Sequence, residues 1–408
     1  MPRGRRETPA VNWPPIAPSR YDPAVLRAFW VGLLPAALLM PEAADYGAPI
    51  AAAAPDRFER EALRAFPGCR EDRRLTLTAR EIARGLAELG DATALEPSRA
   101  TFLARRVGVV DAALVASAVA APGSLRAAAS GLRAAQSWDE RAPTHCGAGV
   151  SGRGEGRVLA LVTTRRLVEI EPFPSRPDVG AEHVLSGRVS EGVRSPRVLM
   201  TPPDGDPIGL PLVVAGRTFH AAVSVPEAGE YRLEVMVEGP SGPEAAAILP
   251  LWAGVPPPTR PVVTLAPEPG RPSSEGTACA LLRLLERTRA AAGLPRLRPQ
   301  PMLARMARER AERMRDEGFV GHRSPVSGDL TDEFRRFGLS SRRVAENVGR
   351  GGSAARVHEN FLASPAHRAA VLDPEMTDVG VGVAVLTTSP PSIVAVEVFA
   401  ADPSSATQ

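Results

Sequence analysis

The sequence of 408 residues predicts a multidomain α+β protein, in which a helical domain, an all-β sandwich and a mixed helix–strand unit follow one another. Apolar residues recur at three- and four-residue spacing over residues 55–146, which is the helical period. Short alternating runs separated by turn residues cover residues 147–255 and are typical of a β-sandwich. Helical spacing returns over residues 277–403, where two strands close the unit. The Pro-rich residues 256–276 are predicted to form an extended linker.

The composition is that of a globular protein, with 44% apolar and 23% charged residues. The formal net charge is +3, and every basic residue is an arginine. Acidic residues are interspersed among the arginines, and no clustered basic face stands out in the sequence. We therefore expect no nucleic-acid partner.

Residues 1–54 are predicted to be a signal or targeting segment. An Arg-containing stretch precedes the apolar run Ala28–Met40, which is shorter than the roughly 20 residues of a membrane span and resembles a signal-peptide core. Small residues follow at Ala43–Ala44 and at Ala51–Ala54, and we expect a cleavage site at one of these places. The cleaved chain would not be an integral membrane protein. The alternative interpretation is an apolar helix of a cytosolic protein.

The cysteines are Cys69, Cys146 and Cys279, and none belongs to a Cys-x-x-Cys pair. In an exported chain the simplest arrangement is one disulfide and one remaining thiol. Cys69 and Cys146 are the favoured pair because both flank the same helical segment. Three buried free thiols are the alternative.

The predicted sandwich contains runs such as "RTFHAAVSVP" and "YRLEVMV", which alternate apolar and polar residues and would each bury one face. The stretch "AGEYRLEV", with Tyr231 near its strand start, resembles a late strand of immunoglobulin-like domains. We therefore predict an immunoglobulin-like sandwich. His183 and His220 lie in these strands and are interpreted as surface or core residues rather than ligands.

Half of the six histidines, His322, His358 and His367, fall in the C-terminal unit. His322 follows a predicted helix, Glu346 lies in an apolar context, and His367 lies in the first turn after the helix start Ser364–Pro365. The helix dipole disfavours protonation of His367 there. Neutral imidazoles with a carboxylate suit zinc or another divalent cation, or acid–base work. His358 is predicted to be exposed on the outer face of its helix.

Four motifs carry a resemblance to a known family: "FVGHRSP", "AENVGRG", "NFLASPAHRAAVL" and "TDVGVGVAV". Their order and spacing resemble the bacterial branch of the CAP superfamily of cysteine-rich secretory, antigen 5 and pathogenesis-related 1 proteins, whose domain is also called SCP. The resemblance covers roughly residues 278–401. It implies an α/β/α sandwich, with which the predicted helix and strand order agrees. It also implies a cleft with two histidines and two glutamates that binds a divalent metal in some members.

His322 and His367 match the two histidines of that cleft, and Glu346 matches the glutamate of a Gly-Glu-Asn motif, here with Ala345 in place of glycine. The second glutamate has no match, because Ser364 stands where it would fall. The resemblance therefore implies a zinc or other divalent-metal site of three residues, which are also the candidate catalytic residues. In an alternative, structural interpretation the same residues join loops to the sheet and cap a helix.

These features predict a non-enzymatic extracytoplasmic binding protein, located in the periplasm, on the cell surface or outside the cell. Its expected partners are a lipid, a cell-wall component or a protein. A first alternative is a metal-assisted hydrolase, a peptidase or cell-wall enzyme, in which His322 and His367 hold the metal and Glu346 activates water. A second alternative is a structural, partner-binding protein with a vestigial cleft.

Overall fold

The computed structural model describes residues 44–51, 53–136, 144–261, 273–388 and 392–405. Most of the predicted targeting segment, the apolar run included, and most of the predicted linker lie outside the described residues. Within them, helices and several separate sheets follow one another along the chain, which confirms a mixed α and β protein. No helix in the described part of the chain is long and apolar enough to cross a membrane.

The first unit is built on one four-stranded sheet. Its elements are α1 (Arg57–Leu63), β1 (Arg70–Glu71), α2 (Arg73–Leu89), α3 (Pro97–Arg106), β2 (Leu114–Ala120), α4 (Leu125–Gln136), β3 (His145–Ser151) and β4 (Val158–Thr164). The strand order is β1-β3-β4-β2. Helix α2 lies directly on β3, because a Cβ atom at Gly147 would lie only 2.1 Å from the main chain of Leu75. The apolar face of α2 thereby forms the core of this unit with β4.

The prediction of a helical domain over residues 55–146 is not confirmed, because strands lie among its helices. The Ala-rich residues 114–120 form β2, which pairs with β4 in an antiparallel register from Leu114 opposite Thr164 to Ala120 opposite Val158. Alanine has a high helix propensity, but pairing with a distant strand overrides that local preference. The predicted boundary at residue 146 also falls inside β3.

A disulfide joins Cys69 to Cys146, with a sequence separation of 77 residues. Cys146 lies opposite Glu71 in the parallel pairing of β1 with β3, so the bond fastens the start of the unit to its sheet. This confirms the favoured pair. Cys279 is free and exposed.

The second unit consists of two antiparallel sheets packed on one core. Its strands are β5 (Val168–Ile170), β6 (Glu182–Val189), β7 (Arg194–Thr201), β8 (Ile208–Leu210), β9 (Leu212–Ala215), β10 (Thr218–Ser224), β11 (Gly229–Gly239) and β12 (Gly242–Ala253). One sheet has the order β5-β6-β10-β9 and the other β12-β11-β7-β8. Side chains of both sheets, such as Phe219 and Leu233, share one buried cluster. That this two-sheet unit is an immunoglobulin-like sandwich stays a prediction.

One residue that precedes the first unit in the sequence belongs to the core of the second unit. Tyr46 is fully buried in the core of the two sheets and forms a bridge with Phe173. Its hydroxyl donates a hydrogen bond of 2.5 Å to the carbonyl oxygen of Pro250. The end of the predicted targeting segment therefore overlaps at Tyr46 with the folded protein.

The third unit places one sheet between helices. Its elements are α5 (Ser274–Ala291), β13 (Arg298–Pro299), α6 (Pro301–Glu317), α7 (Leu330–Arg336), β14 (Leu339–Ser340), β15 (Arg343–Gly351), α8 (Ala354–Ala363), α9 (Pro365–Leu372), β16 (Asp378–Leu386), β17 (Ser392–Ala401) and β18 (Ser404–Ser405). The main sheet has the order β13-β16-β17-β15, which leaves β15 at an edge. Helix α6 packs on one face, and α5, α8 and α9 pack on the other.

The Gly-Val alternation of β16 explains how closely α6 approaches the sheet. A Cβ atom at Gly380 would lie 2.1 Å from the main chain of Leu303, and one at Gly382 would lie 2.1 Å from the main-chain nitrogen of Arg308. The intervening valines face the opposite helices, since successive strand residues point to opposite faces. Only glycine permits this contact on the α6 face.

Candidate functional site

The three residues predicted from the motifs come together beside the edge strand β15. Helix α6 ends at Gly318, whose φ of 70° turns the chain into the loop that carries His322. Glu346 lies in β15, and His367 lies in the first turn of α9. The ring centroids of His322 and His367 are 6.3 Å apart. The loop after α6, the edge strand β15 and the start of α9 therefore meet at this pair of imidazoles.

Glu346 is held between His322 and Arg310, a residue of α6 that the sequence did not single out. Its Oε2 lies 2.9 Å from Nδ1 of His322. Arg310 donates to both carboxylate oxygens and also, over 3.0 Å, to the carbonyl oxygen of His322. Burial by itself would raise the pKa of Glu346, but the charge of Arg310 and the hydrogen bond of His322 outweigh it and hold that pKa below its usual range.

The ionised carboxylate fixes the tautomer of His322. A carboxylate without a proton only accepts hydrogen bonds, so Nδ1 of His322 is the donor in this pair. Its Nε2 atom is then the ring nitrogen that takes no part in this bond. A carboxylate behind an imidazole is the usual second layer of a histidine metal ligand. Glu346 therefore orients His322, and its own oxygens are engaged by Arg310.

His367 presents a neutral imidazole. Burial, and secondarily the charge of His322, lowers the pKa of His367 to about 3, although Glu346 opposes that shift. The direction agrees with the sequence prediction, but burial rather than the helix dipole is the main cause. The ring packs against Phe361, with centroids 5.3 Å apart. Among the described residues, neither ring nitrogen of His367 has a hydrogen-bond partner.

The main chain of His367 is held from two sides. Its N–H donates to the hydroxyl of Ser364 over 3.3 Å, which confirms the predicted helix cap. Its carbonyl oxygen accepts a bond of 3.3 Å from Nδ2 of the fully buried Asn347. The same amide donates to Oε2 of Glu397 over 3.1 Å. Burial raises the pKa of Glu397 to about 7, although the hydrogen bond from Asn347 acts to lower that pKa.

The divalent-metal site of His322, Glu346 and His367 stays a prediction, although the structure brings the three side chains together. Within the described part of the chain, however, no group of three His, Cys, Asp or Glu side chains is arranged to hold a metal. The structure therefore places two imidazoles side by side, with Glu346 hydrogen-bonded to one of them.

The two serines near these histidines have structural roles. The hydroxyl of Ser324 donates to Glu317 over 3.1 Å and accepts the main-chain N–H groups of residues 326 and 327. Ser364 caps α9. Among the bonds of the described residues, neither hydroxyl contacts an imidazole.

His358 lies away from this site and is buried rather than exposed. It is 4% exposed, and its Nε2 lies 2.7 Å from the hydroxyl of Thr288 in α5. The prediction of an outer-face position is therefore wrong. The helix–helix contact of α5 with α8 covers that face, and spacing within α8 alone does not reveal the covering helix.

The second unit contacts the loop that carries His322. The turn between β11 and β12 lies over the His322 loop, where the N–H of Arg323 donates to the carbonyl oxygen of Ser241 over 2.9 Å. A Cβ atom at Gly321 would lie 2.7 Å from that same oxygen. Contacts between residues so distant in sequence leave no local pattern, and sequence reasoning missed them.

Residues 282–394 match the CAP family, described as the cysteine-rich secretory protein family. A curated relative, the uncharacterized protein YkwD of Bacillus subtilis (strain 168), is 32% identical over 91 residues, which are 22% of this chain and 35% of the relative. The chain thus spans about a third of that relative's length. The match and the relative together support a bacterial CAP domain in the C-terminal third.

Several solved structures are also similar. An outer surface protein from Borrelia burgdorferi is 17% identical with a TM-score of 0.29, covering 32% of this chain and 97% of that chain. An extracellular protein containing an SCP domain from Bacillus anthracis str. Ames is 14% identical with a TM-score of 0.30, covering 58% and 85%. A cysteine-rich secretory protein from Staphylococcus aureus subsp. aureus Mu50 is 11% identical with a TM-score of 0.26, covering 53% and 75%.

Proposed function

We propose that this protein, whose C-terminal third is a CAP domain, is a non-enzymatic extracytoplasmic binding protein that takes up a divalent metal, zinc foremost, between His322 and His367. The observation that carries the proposal is the pair of imidazoles with ring centroids 6.3 Å apart, each of which has a ring nitrogen without a hydrogen-bond partner among the described residues. His367 is neutral over the physiological range, and Glu346 orients His322. Neutral imidazoles are ligands for zinc without loss of a proton.

The state of Glu346 favours binding over hydrolysis. A carboxylate that activates water needs a free oxygen and a pKa near the working pH. Arg310 occupies both oxygens of Glu346 and lowers its pKa. The proposed site therefore binds and orients a metal, and it lacks a group placed to remove a proton from a bound water.

Two features support export. The Cys69–Cys146 disulfide is of a kind that persists in oxidising compartments outside the cytoplasm. The apolar run Ala28–Met40 has the length of a signal-peptide core. Both agree with the extracytoplasmic location in this proposal.

We propose further that the second unit is an immunoglobulin-like sandwich, which closes one side of the cleft. Its buried Tyr231 accepts from the N–H of Glu227 and donates to the carbonyl oxygen of the same residue, over 3.2 and 3.1 Å. A tyrosine bonded to the main chain a few residues upstream is a feature of immunoglobulin-like domains. The contact at Ser241 gives this sandwich its place beside His322.

A zinc titration of the full chain by isothermal calorimetry tests the proposal. We expect one ion per chain in the wild type and no binding in the double variant His322→Ala/His367→Ala. His220→Ala is the matched control, because this histidine is exposed on the sandwich and lies outside the cleft. Absence of zinc uptake by the wild type, or equal uptake by the double variant, would overturn the proposed function.

A further inference from the structure

A carboxylate of the sandwich reaches the helix that carries His367. Glu234 lies in β11 and is 0% exposed. Its Oε1 accepts a hydrogen bond of 2.7 Å from the hydroxyl of Ser364, and its Oε2 accepts one of 2.8 Å from the N–H of Ala366. Both donors belong to the first turn of α9, so a single side chain from another unit satisfies the start of this helix.

Arg232, two residues earlier on the same strand, contacts the preceding helix. Its Nη1 donates to the carbonyl oxygen of Ala363, at the end of α8, over 3.3 Å. An arginine thus lies at the C-terminus of α8, where the helix dipole favours a cation, and a carboxyl group lies at the N-terminus of α9. Strand β11 therefore contacts the turn between α8 and α9 through two side chains.

The contact at Ser364 leads directly to His367. The hydroxyl that donates to Glu234 also accepts the N–H of His367 over 3.3 Å. On the other side, Asn347 holds the carbonyl oxygen of His367. The ring of His367 has no hydrogen bond of its own in the described structure, so its position follows from its main chain and from the packing of Phe361.

We propose that Glu234 is a positioning residue of the paired-imidazole site, which fixes the first turn of α9 and thereby the distance between the rings of His367 and His322. The inference rests on the proposed function for its metal-binding consequence. The sandwich is then part of the site. A ligand that binds both imidazole rings depends on the contact between the sandwich and α9.

The test compares Glu234→Gln with Glu230→Gln in the full chain. The glutamine keeps the shape but places an amide opposite one of the two donors. Glu230 lies on the same strand, with a side chain that is 50% exposed and forms an ion pair with Arg232. By analogy with groups that orient metal ligands, we expect zinc affinity to fall by about 10- to 100-fold in Glu234→Gln. The control should bind zinc as the wild type does.

A second measurement needs no metal. In protein labelled with ¹⁵N-histidine, we expect Glu234→Gln to move the ring resonances of His367 more than those of His220, which lies outside the cleft. A general loss of folding would alter all histidine resonances together. If Glu234→Gln does not fold, Glu234→Asp keeps the charge with a shorter reach and should shift the His367 resonances in the same way.

The outcomes separate the two proposals. If the wild type and Glu234→Gln bind zinc equally and the His367 resonances stay in place, the positioning role is overturned and the binding function stands. If the wild type binds no zinc, the proposed function fails, and the resonances of His367 still decide whether Glu234 positions its ring.

Discussion

Nδ1 of His322 lies 2.9 Å from Oε2 of Glu346, and Arg310 holds the same carboxylate from α6. The three side chains form a line from the core to the cleft. Arg310 is 2% exposed, so its charge depends on Glu346 and, at 3.7 Å, on Glu333 for compensation. One carboxylate therefore links the stability of the domain to the orientation of an imidazole.

Glu346→Gln should weaken both properties. Removal of one partner from a buried ion pair costs on the order of 3–5 kcal/mol, and Glu333 reduces that loss here. Loss of the carboxylate behind His322 should lower zinc affinity about 10- to 100-fold. Urea unfolding and calorimetric titration measure the two effects.

Glu309→Gln is the matched control, because Glu309 lies one residue before Arg310 but pairs with the more exposed arginines Arg305 and Arg336. Surface pairs contribute about 0–1 kcal/mol. Equal unfolding free energies for the two variants would contradict the role given to Glu346.

The metal-site candidates were predictable because each lies in a short motif with a local signal. His322 follows the helix C-cap at Gly318, and Ser364 with Pro365 marks the start of the helix that contains His367. The Gly-Val alternation of β16 is likewise a local pattern, and it is explained by the close contact of its glycines with a helix. Patterns that a few neighbouring residues enforce can be read from the sequence.

The partners of the site were not predictable in the same way. Arg310 is one arginine among many on an amphipathic helix, and nothing local marks it as the buried one. Glu234 acts on Ser364 from a distance of 130 residues along the chain. Ser364 is where the family resemblance expects a second glutamate, and the sandwich brings a carboxylate to that position. Packing between units decides such contacts.

The buried carboxyl of Glu397 makes stability depend on pH. Its pKa is raised to about 7 from 4.5, so the folded state holds a proton that the unfolded state releases between these values. The free energy of unfolding should therefore fall as the pH rises from about 4.5 to about 7, by roughly 3 kcal/mol from this group. Above pH 7 this contribution is fully lost, and stability no longer changes with pH on its account.

Glu397→Gln replaces the carboxyl by a neutral amide of similar shape and should remove this dependence. Urea unfolding of the wild type and the variant at several pH values gives the difference in stability. That difference should change between pH 4.5 and 7 and level off on either side. A difference that is the same at every pH would show that Glu397 does not titrate in this window.

Gly321 should be needed for the contact between the sandwich and the His322 loop. An added Cβ would lie 2.7 Å from the carbonyl oxygen of Ser241, which is main chain and cannot turn away. Gly321→Ala should push the turn outwards at a cost of about 1–3 kcal/mol. Faster hydrogen exchange of the Arg323 amide, which donates to Ser241, reports the separation.

Gly352→Ala is the control for this change, since a Cβ there would meet no atom within 4 Å. Its exchange rates at Arg323 should match those of the wild type. Unchanged exchange in Gly321→Ala as well would mean that the turn does not rest on the loop.

The position of Tyr46 restricts where an exported chain is cleaved. Cleavage within Ala51–Ala54 would remove a fully buried side chain and its bond to Pro250, whereas cleavage at Ala43–Ala44 leaves both in place. Loss of a large buried aromatic side chain costs about 3–5 kcal/mol. A chain lacking residues 1–43 should therefore unfold in urea like the full chain, and one lacking residues 1–54 should unfold at a clearly lower concentration. Mass spectrometry of the mature protein from its host should find a start before Asp45; a start after Ala51, or equal stability of the two truncated chains, would show that the folded protein does not need Tyr46.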